Sequence, residues 1–442
     1  MSTDIQVEII HKETITPSSP TLPHHKVVEL SFLDQFIPEV YVPLILFYPN
    51  HTDGEVDTNH QSLIAEKCGI LKASLSKTLT QFYPLAGKFQ YNDSFCCDDR
   101  GAAFIVARVN CRISRILENP DTEMLKCLFP AAVGSTQALT GHLLLVQINF
   151  FECGGMAIAI SISHKVADAF TFSTFIKSWS AAALVPSSTT DHPVVPADFG
   201  AAAFLYPPQD FLNSPKPLVE FIQGKCITRR LVFDASRIAA LKSKAASASV
   251  PNPTRVEVVS ALIWKCAMEA SRSNLGSIRP SLWCQAVNMR KRSGQAFTEN
   301  ILGNFVWRFA AMTVESEVDL QSLVTALRKS IEDFKVNYPN GLTVENAYQL
   351  IKESGNFFAR EGVDNYNCTS WCWLPLYETN FGWGKPYWVS FPSLQLKNIV
   401  ILMDAKDGNG IETSLTFLEE DMAKVESNKE LLAYGALNPT VI

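Results

Sequence analysis

Gly154 and Gly155 open a run, Met156-Ala157-Ile158-Ala159-Ile160-Ser161-Ile162-Ser163, that carries no charge and reads as a largely buried strand. Shortly after it, from Ala169 to Ala183, the residues Phe172, Phe175, Ile176 and Trp179 recur at helical spacing with no Gly or Pro between them. A buried strand followed so directly by an apolar helix commits this part of the chain to an α/β layer. The junction reads His164-Lys165-Val166-Ala167-Asp168. His164 therefore stands where two rigid elements can hold a side chain for chemistry. An imidazole titrates near neutrality and can take a proton from a hydroxyl or an amine. A histidine packed for structural reasons is the alternative, because H-x-x-x-D arises readily by chance, and a second site has to decide.

That second segment lies far downstream, in Ser370-Trp371-Cys372-Trp373-Leu374-Pro375-Leu376-Tyr377-Glu378-Thr379-Asn380-Phe381-Gly382-Trp383-Gly384-Lys385-Pro386. Gly382 and Gly384 allow a tight backbone with one large ring between them. Taken by itself, the segment reads as a Gly-rich loop packed by aromatics.

Elsewhere, Val27 to Phe47 alternates strand-like runs with turn residues, and Ser62 to Tyr83 reads as an amphipathic helix. Cys96 to Ile113 and Leu143 to Phe151 read as strands. Between Val185 and Pro217 the residues Pro186, Pro193, Pro196, Pro207, Pro208, Pro215 and Pro217 crowd together with Ser and Asp, so an extended linker is expected. Lys225 to Phe233 then reads as a strand, with helices over Ala235 to Ala246 and Arg255 to Ala270. Strands and helices mix without strict βαβ alternation, which predicts α/β layers with mixed sheets.

A chain of 442 residues with 47% apolar and 19% charged residues can bury a sizeable core. Its net charge of −6 argues against a general nucleic-acid binder but leaves room for an anionic small molecule held by local cations and backbone N–H groups. Met1 to Glu13 lacks a signal-peptide core, no run approaches 18 apolar residues, and the C-terminal Asn438-Pro439-Thr440-Val441-Ile442 is not a sorting signal. A cytoplasmic protein without a membrane partner is expected. The eleven cysteines are scattered through apolar segments and read as reduced core residues. Neither Cys96-Cys97 nor Cys368 with Cys372 has partners at zinc spacing, so no metal is expected. A G-x-S-x-G nucleophile elbow is also lacking.

Together, the His164 and Gly382 segments resemble the BAHD family of plant acyl-CoA-dependent acyltransferases, which carries HxxxD near the middle and DFGWG near the C-terminus. The resemblance continues in Phe82-Tyr83-Pro84-Leu85-Ala86-Gly87-Lys88, Thr254 to Lys265, Gln285 to Arg292, Gly303-Asn304 and Gly408-Asn409-Gly410-Ile411-Glu412. Pro17-Ser18-Ser19-Pro20, Phe151 to Gly155 and Thr369-Ser370-Trp371-Cys372 are similar to its alkaloid-type O-acetyltransferase branch. The resemblance implies two similarly built, chloramphenicol acetyltransferase-like α/β domains with a channel between them. Residues 1–184 would form the first, 185–224 the crossover and 225–442 the second.

The resemblance also implies an activity: an acyl group, acetyl from acetyl-CoA, passes to a hydroxyl (less readily an amine) of an alkaloid or terpenoid. His164 would be the general base, with no acyl-enzyme, in a monomer. Trp383 Nε1–H is a candidate oxyanion donor; a core aromatic wedge is the equal alternative. Asp168 is expected to pair with Arg290 rather than with His164, pointing away from the channel from a helix that begins right after the histidine. Ser260, Thr369 and Ser370 match positions near CoA. The chain departs from the family at Asn380, where an aspartate would tie the loop to the arginine-rich block. Its loss would leave Arg292 or a neighbour without a counter-ion unless Glu378 compensates, and Trp373 stands where relatives often carry arginine. A repurposed fold that acts as a cyclase or lyase, or binds a ligand without transfer, is the alternative.

Overall fold

The computed structural model describes residues 5–50, 60–90, 94–132, 135, 137–185, 198–209, 225–292, 300–314, 318–338, 342–358 and 362–442. Most of the expected crossover at 185–224, including Pro186, Pro193, Pro196, Pro215 and Pro217, lies outside the described residues.

Strands numbered in chain order form two large mixed sheets. The first runs β1 (Val7–Ile15), β6 (Ala102–Val109), β7 (Leu144–Phe151), β8 (Met156–Ser163), β3 (Tyr41–Tyr48), β13 (Trp388–Ser390), and only β6–β7 is parallel. The second runs β11 (Val306–Thr313), β10 (Ser281–Asn288), β12 (Asp364–Ser370), β14 (Ile399–Asp404), β15 (Ile411–Leu418), β9 (Cys226–Phe233), β16 (Ala436–Leu437), parallel at β10–β12 and β12–β14. A small sheet joins β2 (Val27–Glu29), β5 (Ser94–Cys96) and β4 (Lys88–Gln90).

Every residue of β8 is buried, because both faces of the first sheet are covered. Its large residues Ile158, Ile160 and Ile162 enter one core with Leu71, Leu75, Phe172 and Trp179, from the helices His60–Gln81 and Ala169–Leu184. Its small residues Ala157 and Ala159 meet Ile116, Leu125 and Trp388 on the other face. Size alternates along the strand with the same period of two that sets its two faces.

The second sheet is covered on one face by helices Ala235–Ala245, Arg255–Leu275 and Leu320–Asn337, through Leu241, Trp264 and Val324. Helix Arg255–Leu275 starts at a Thr254/Glu257 capping box and outruns the expected end at Ala270. It continues until Gly276, whose φ of 67° is the left-handed conformation that closes a helix. On the opposite face of the sheet, Ile401 and Met403 of β14 join the core of the first half.

Strand β13 departs from the division into two halves. It lies within 225–442 yet pairs Trp388 with Phe47 at the edge of the first sheet. The Trp388 ring stacks on Phe47 at 5.1 Å, and its Nε1–H donates to Glu412 Oε1 at 3.0 Å. Glu412 on β15 is paired in turn with buried Arg230 on β9 at 2.8 Å, and that guanidinium lies 5.4 Å from the Trp388 ring. One indole thus clasps both sheets. Trp388→Ala opens a cavity and removes the Glu412 partner, so it should cost roughly 3–5 kcal/mol in denaturant-induced unfolding. A loss below about 1 kcal/mol would show that the clasp carries no load.

Candidate active site

Strand β8 ends at Ser163, and the chain turns through His164-Lys165-Val166 before helix Ala169–Leu184 begins. The His164 N–H donates to Val40 O at 2.9 Å, just before β3, which fixes the residue at the end of two adjacent strands. Asn304 holds the turn from the other side: its Nδ2 donates to His164 O at 2.8 Å, Lys165 O at 3.2 Å and Asp34 Oδ1 at 2.8 Å. Asp34 closes a capping box with Ser31, and Lys165 Nζ donates to the carbonyls of Asp34 and Gln35, both at 3.2 Å. The roles of Asp34 and Asn304 were not readable from the sequence; only the Gly303-Asn304 block hinted at the second.

The His164 ring is largely enclosed, with Nδ1 shut off from solvent. Burial pulls its pKa below the usual 6.5, and the nearby Arg308 cation acts in the same direction. The imidazole is neutral at cellular pH and available as a base.

Asp168 does not hydrogen-bond the imidazole, and it is not inside a helix but caps one: Oδ1 accepts from Thr171 N at 2.8 Å. Oδ2 accepts from Phe305 N at 3.1 Å and from Arg290 Nη1 at 2.7 Å, and Arg290 Nη2 reaches Oδ1 at 3.3 Å. Arg290 also donates to Ile301 O at 2.7 Å, and Thr171 Oγ1 donates to Gly303 O at 2.9 Å. Gly303 takes a φ of 97°, which only glycine adopts without strain. The network binds the end of β8 to the segment leading into β11, on opposite halves of the molecule.

The Gly-rich loop is elsewhere. Trp383 stacks with Phe381 at 5.8 Å and meets Tyr48 edge-on at 6.3 Å, while Lys67 Nζ lies 5.6 Å from its ring. Tyr48 pairs with Met156 at the start of β8, and His164 follows its end. Eight residue steps separate Met156 from His164, roughly 27 Å at about 3.4 Å per step. Trp383 is a core wedge and cannot donate to an oxyanion at His164.

The loop needs no carboxylate at 380 either. Asn380 Oδ1 accepts from Gly382 N at 2.9 Å and Gly384 N at 3.0 Å, an Asx turn that a neutral amide closes as well as an acid. Gly382 and Gly384 have φ of 114° and 96°, which makes glycine necessary at both. Arg292 is exposed and donates to Asn288 O at 2.9 Å, so no buried cation is orphaned there, and Glu378 pairs with Lys385.

A cavity of about 1560 Å³ opens between helix Ala169–Leu184 and the second half. Its lining includes six cations, Lys77, Lys177, Lys242, Arg255, Lys291 and Arg292. The acid among the lining residues, Glu257, is committed to Arg328 at 2.7 Å. Ser260 and Ser370 are in the wall, as is Trp373, whose ring stacks on Arg255 at 4.2 Å. Thr369 is not among the lining residues, although Ala286, directly opposite it on β10, is. At the inner wall, Phe170 lies 4.3 Å from the Arg290 guanidinium and Asn288 Oδ1 accepts from Arg290 N at 3.0 Å. The cavity therefore ends against the network that follows His164. Among the described residues, no group of three His, Cys, Asp or Glu side chains could hold a metal ion.

A neutral histidine and a cation-lined cavity, on two large mixed sheets, suit transfer of a group from an anionic donor. The Transferase family model matches residues 5–432. The chain is 37% identical to akuammiline synthase 1 of Alstonia scholaris over 97% of each chain, and 34% identical to epi-neemfruitin B 7-O-acetyltransferase of Melia azedarach over 99% of this chain and 100% of that one. The crystal structure of vinorine synthase, an enzyme of Rauvolfia serpentina, superposes with a TM-score of 0.84 at 33% identity, covering 99% of this chain and 100% of that one. The chain belongs to this family, the acyl-CoA-dependent BAHD acyltransferases.

Two substitutions separate structure from chemistry. Asp168→Ala strands the buried Arg290 charge and should cost about 3–5 kcal/mol of stability, read as a lower melting temperature. Trp383→Phe keeps the wedge and should leave kcat/KM within about threefold; a loss of the ~10²–10³ typical of an oxyanion donor would return the indole to the reaction.

Proposed function

We propose that this chain transfers acetyl from acetyl-CoA to a hydroxyl of a bulky alkaloid or terpenoid. The observation that carries the reading is the neutral His164 beside the inner end of the cationic cavity. Lys77, Lys177, Lys242 and Lys291 suit the phosphates of CoA, and the stacked Trp373–Arg255 pair offers its nucleotide a flat face near Ser260 and Ser370. The acceptor hydroxyl gives its proton to the imidazole as its oxygen attacks the thioester carbonyl. The tetrahedral intermediate then collapses, the C–S bond breaks, and the imidazolium returns the proton to the CoA thiolate. No acyl-enzyme forms. The acetyl choice is supported by the name of the Melia relative, and an alkaloid or terpenoid acceptor by the similarity to that relative and to akuammiline and vinorine synthases. The reading takes the enzyme as a plant protein, monomeric and cytoplasmic. Among the described residues no helix is long and apolar enough to cross a membrane. Asn380 closes its loop unaided, so it gives no support to a cyclase or a binding protein.

The test incubates the protein with acetyl-CoA and a panel of alkaloid and terpenoid alcohols, and looks by mass spectrometry for an acetylated product together with free CoA. His164→Ala should lower turnover by about 10²–10⁴-fold without lowering the melting temperature. Product formed without CoA release, or undiminished in the variant, would refute the mechanism. The pH profile has a definite sign. A histidine whose pKa lies below 6.5 is more than half deprotonated at pH 6.5, so the acid limb of kcat/KM should be centred below that point. An acid limb centred above 6.5 would contradict the enclosed, neutral base.

A further inference from the structure

Arg308 has no assigned part in the steps above, yet it is a half-buried cation whose charge reaches the His164 ring. Its Nη1 is closed off from solvent without a hydrogen-bond partner, and among the described residues no carboxylate pairs with it. It follows Asn304, which holds the His164 turn, by four residues along the segment that enters β11, and its charge is felt at the His164 ring.

The sheet register shows what surrounds it. Ala286 of β10 lies opposite Arg308 of β11 on one side and Thr369 of β12 on the other. Residues directly opposite one another share a face, so guanidinium and hydroxyl flank a single methyl group. In the neighbouring row Cys284 stands opposite Asn367, whose Oδ1 is also closed off without a partner. Thr369 in turn is opposite Ile401, which belongs to the core of the first half. This face is therefore turned toward the core of the first half, and its Ala286 is also among the residues lining the large cavity. A gap floored by Ala286 lies between a forked cation and a hydroxyl, with an amide beside them whose orientation a ligand would set.

A guanidinium with one nitrogen enclosed and unpaired is costly, and its planar fork matches a planar anion. The CoA phosphates have their own cations in the large cavity. Near His164 the groups that remain are the acyl group and the acceptor. We propose that Arg308, with Thr369 across Ala286, is the receptor for a carboxylate carried by a substrate, on either the acceptor or a dicarboxylic acyl group. This rests on the transferase reading of His164 and sharpens its substrate class.

The test measures dissociation constants by calorimetry for wild type, Arg308→Gln and Arg308→Lys. One arm compares malonyl-CoA with acetyl-CoA. The other compares hydroxylated terpenoid and indole acids with their methyl esters. Wild type should favour the charged member of at least one pair by tenfold or more, Arg308→Gln should abolish that ratio, and Arg308→Lys should keep part of it. Preference in the CoA pair places the carboxylate on the donor; preference in an acid–ester pair places it on the acceptor. No preference in any pair, or one that survives in Arg308→Gln, overturns the proposal. If Arg308→Gln does not fold, a Lys variant with the full wild-type ratio for every preferred pair does the same. Because these are binding constants, absence of turnover in wild type would count against His164 as the base without touching this result.

Discussion

A carboxylate and a guanidinium buried together, Asp168 and Arg290, each with 2% of its side chain exposed, govern how the two halves of this molecule meet. Neither charge is tolerable alone in that interior, and each becomes tolerable when the other is 2.7 Å away with backbone donors and carbonyls on its remaining positions. The pair can form only if the end of β8 and the segment from Ile301 to Phe305 are brought into register. That register also delivers Asn304 to the carbonyl of His164. Position of the base and attachment of the halves are thus one structural event. An H-x-x-x-D segment here is two residues with separate places, the first at the strand end with its imidazole ring enclosed and the second facing the joint.

Charge is divided as clearly as position. The chain carries a net −6, yet its large cavity is lined by cations, and the acid among them is neutralised by Arg328. The overall sign says little about the ligand, because acids paired or exposed elsewhere do not reach that wall. The histidine lies beyond it in a poorly solvated place where protonation is disfavoured. An anionic donor and a neutral base can therefore occupy adjacent regions of one protein.

Much of this was legible in the chain, for identifiable reasons. Strand β8 showed itself because large and small residues alternate with the period of its faces, and the helix after it because nothing interrupts its spacing. The Asp168–Arg290 pairing was suggested only by resemblance: the residues are 122 apart in sequence, and no local pattern joins them. Between the two readings of Trp383, oxyanion donor and core wedge, sequence could not choose, because a motif shared with a family does not say which atoms it lies beside. Only the pairing of β3 with β8 shows that it sits at the far end of the strand. Ser370 lines the cavity and Thr369 does not, a difference that sequence similarity alone does not give. At Asn380 the sequence shows a missing charge, whereas the structure uses only the acceptor oxygen that asparagine and aspartate share. Strand β13 is three residues long, too short for any periodicity to announce it.

That short strand bears on how the polypeptide emerges from the ribosome. The first sheet lacks its last member until residue 390 has been made, long after β3 and β8 are available. In the interval the backbone of β3, flanked by Ile45, Leu46 and Phe47, presents an open apolar edge of the kind that pairs promiscuously. The nascent first half therefore stays incomplete until a piece of the second has been made. A gene cut between the two halves would yield fragments that complete each other only by trading that strand.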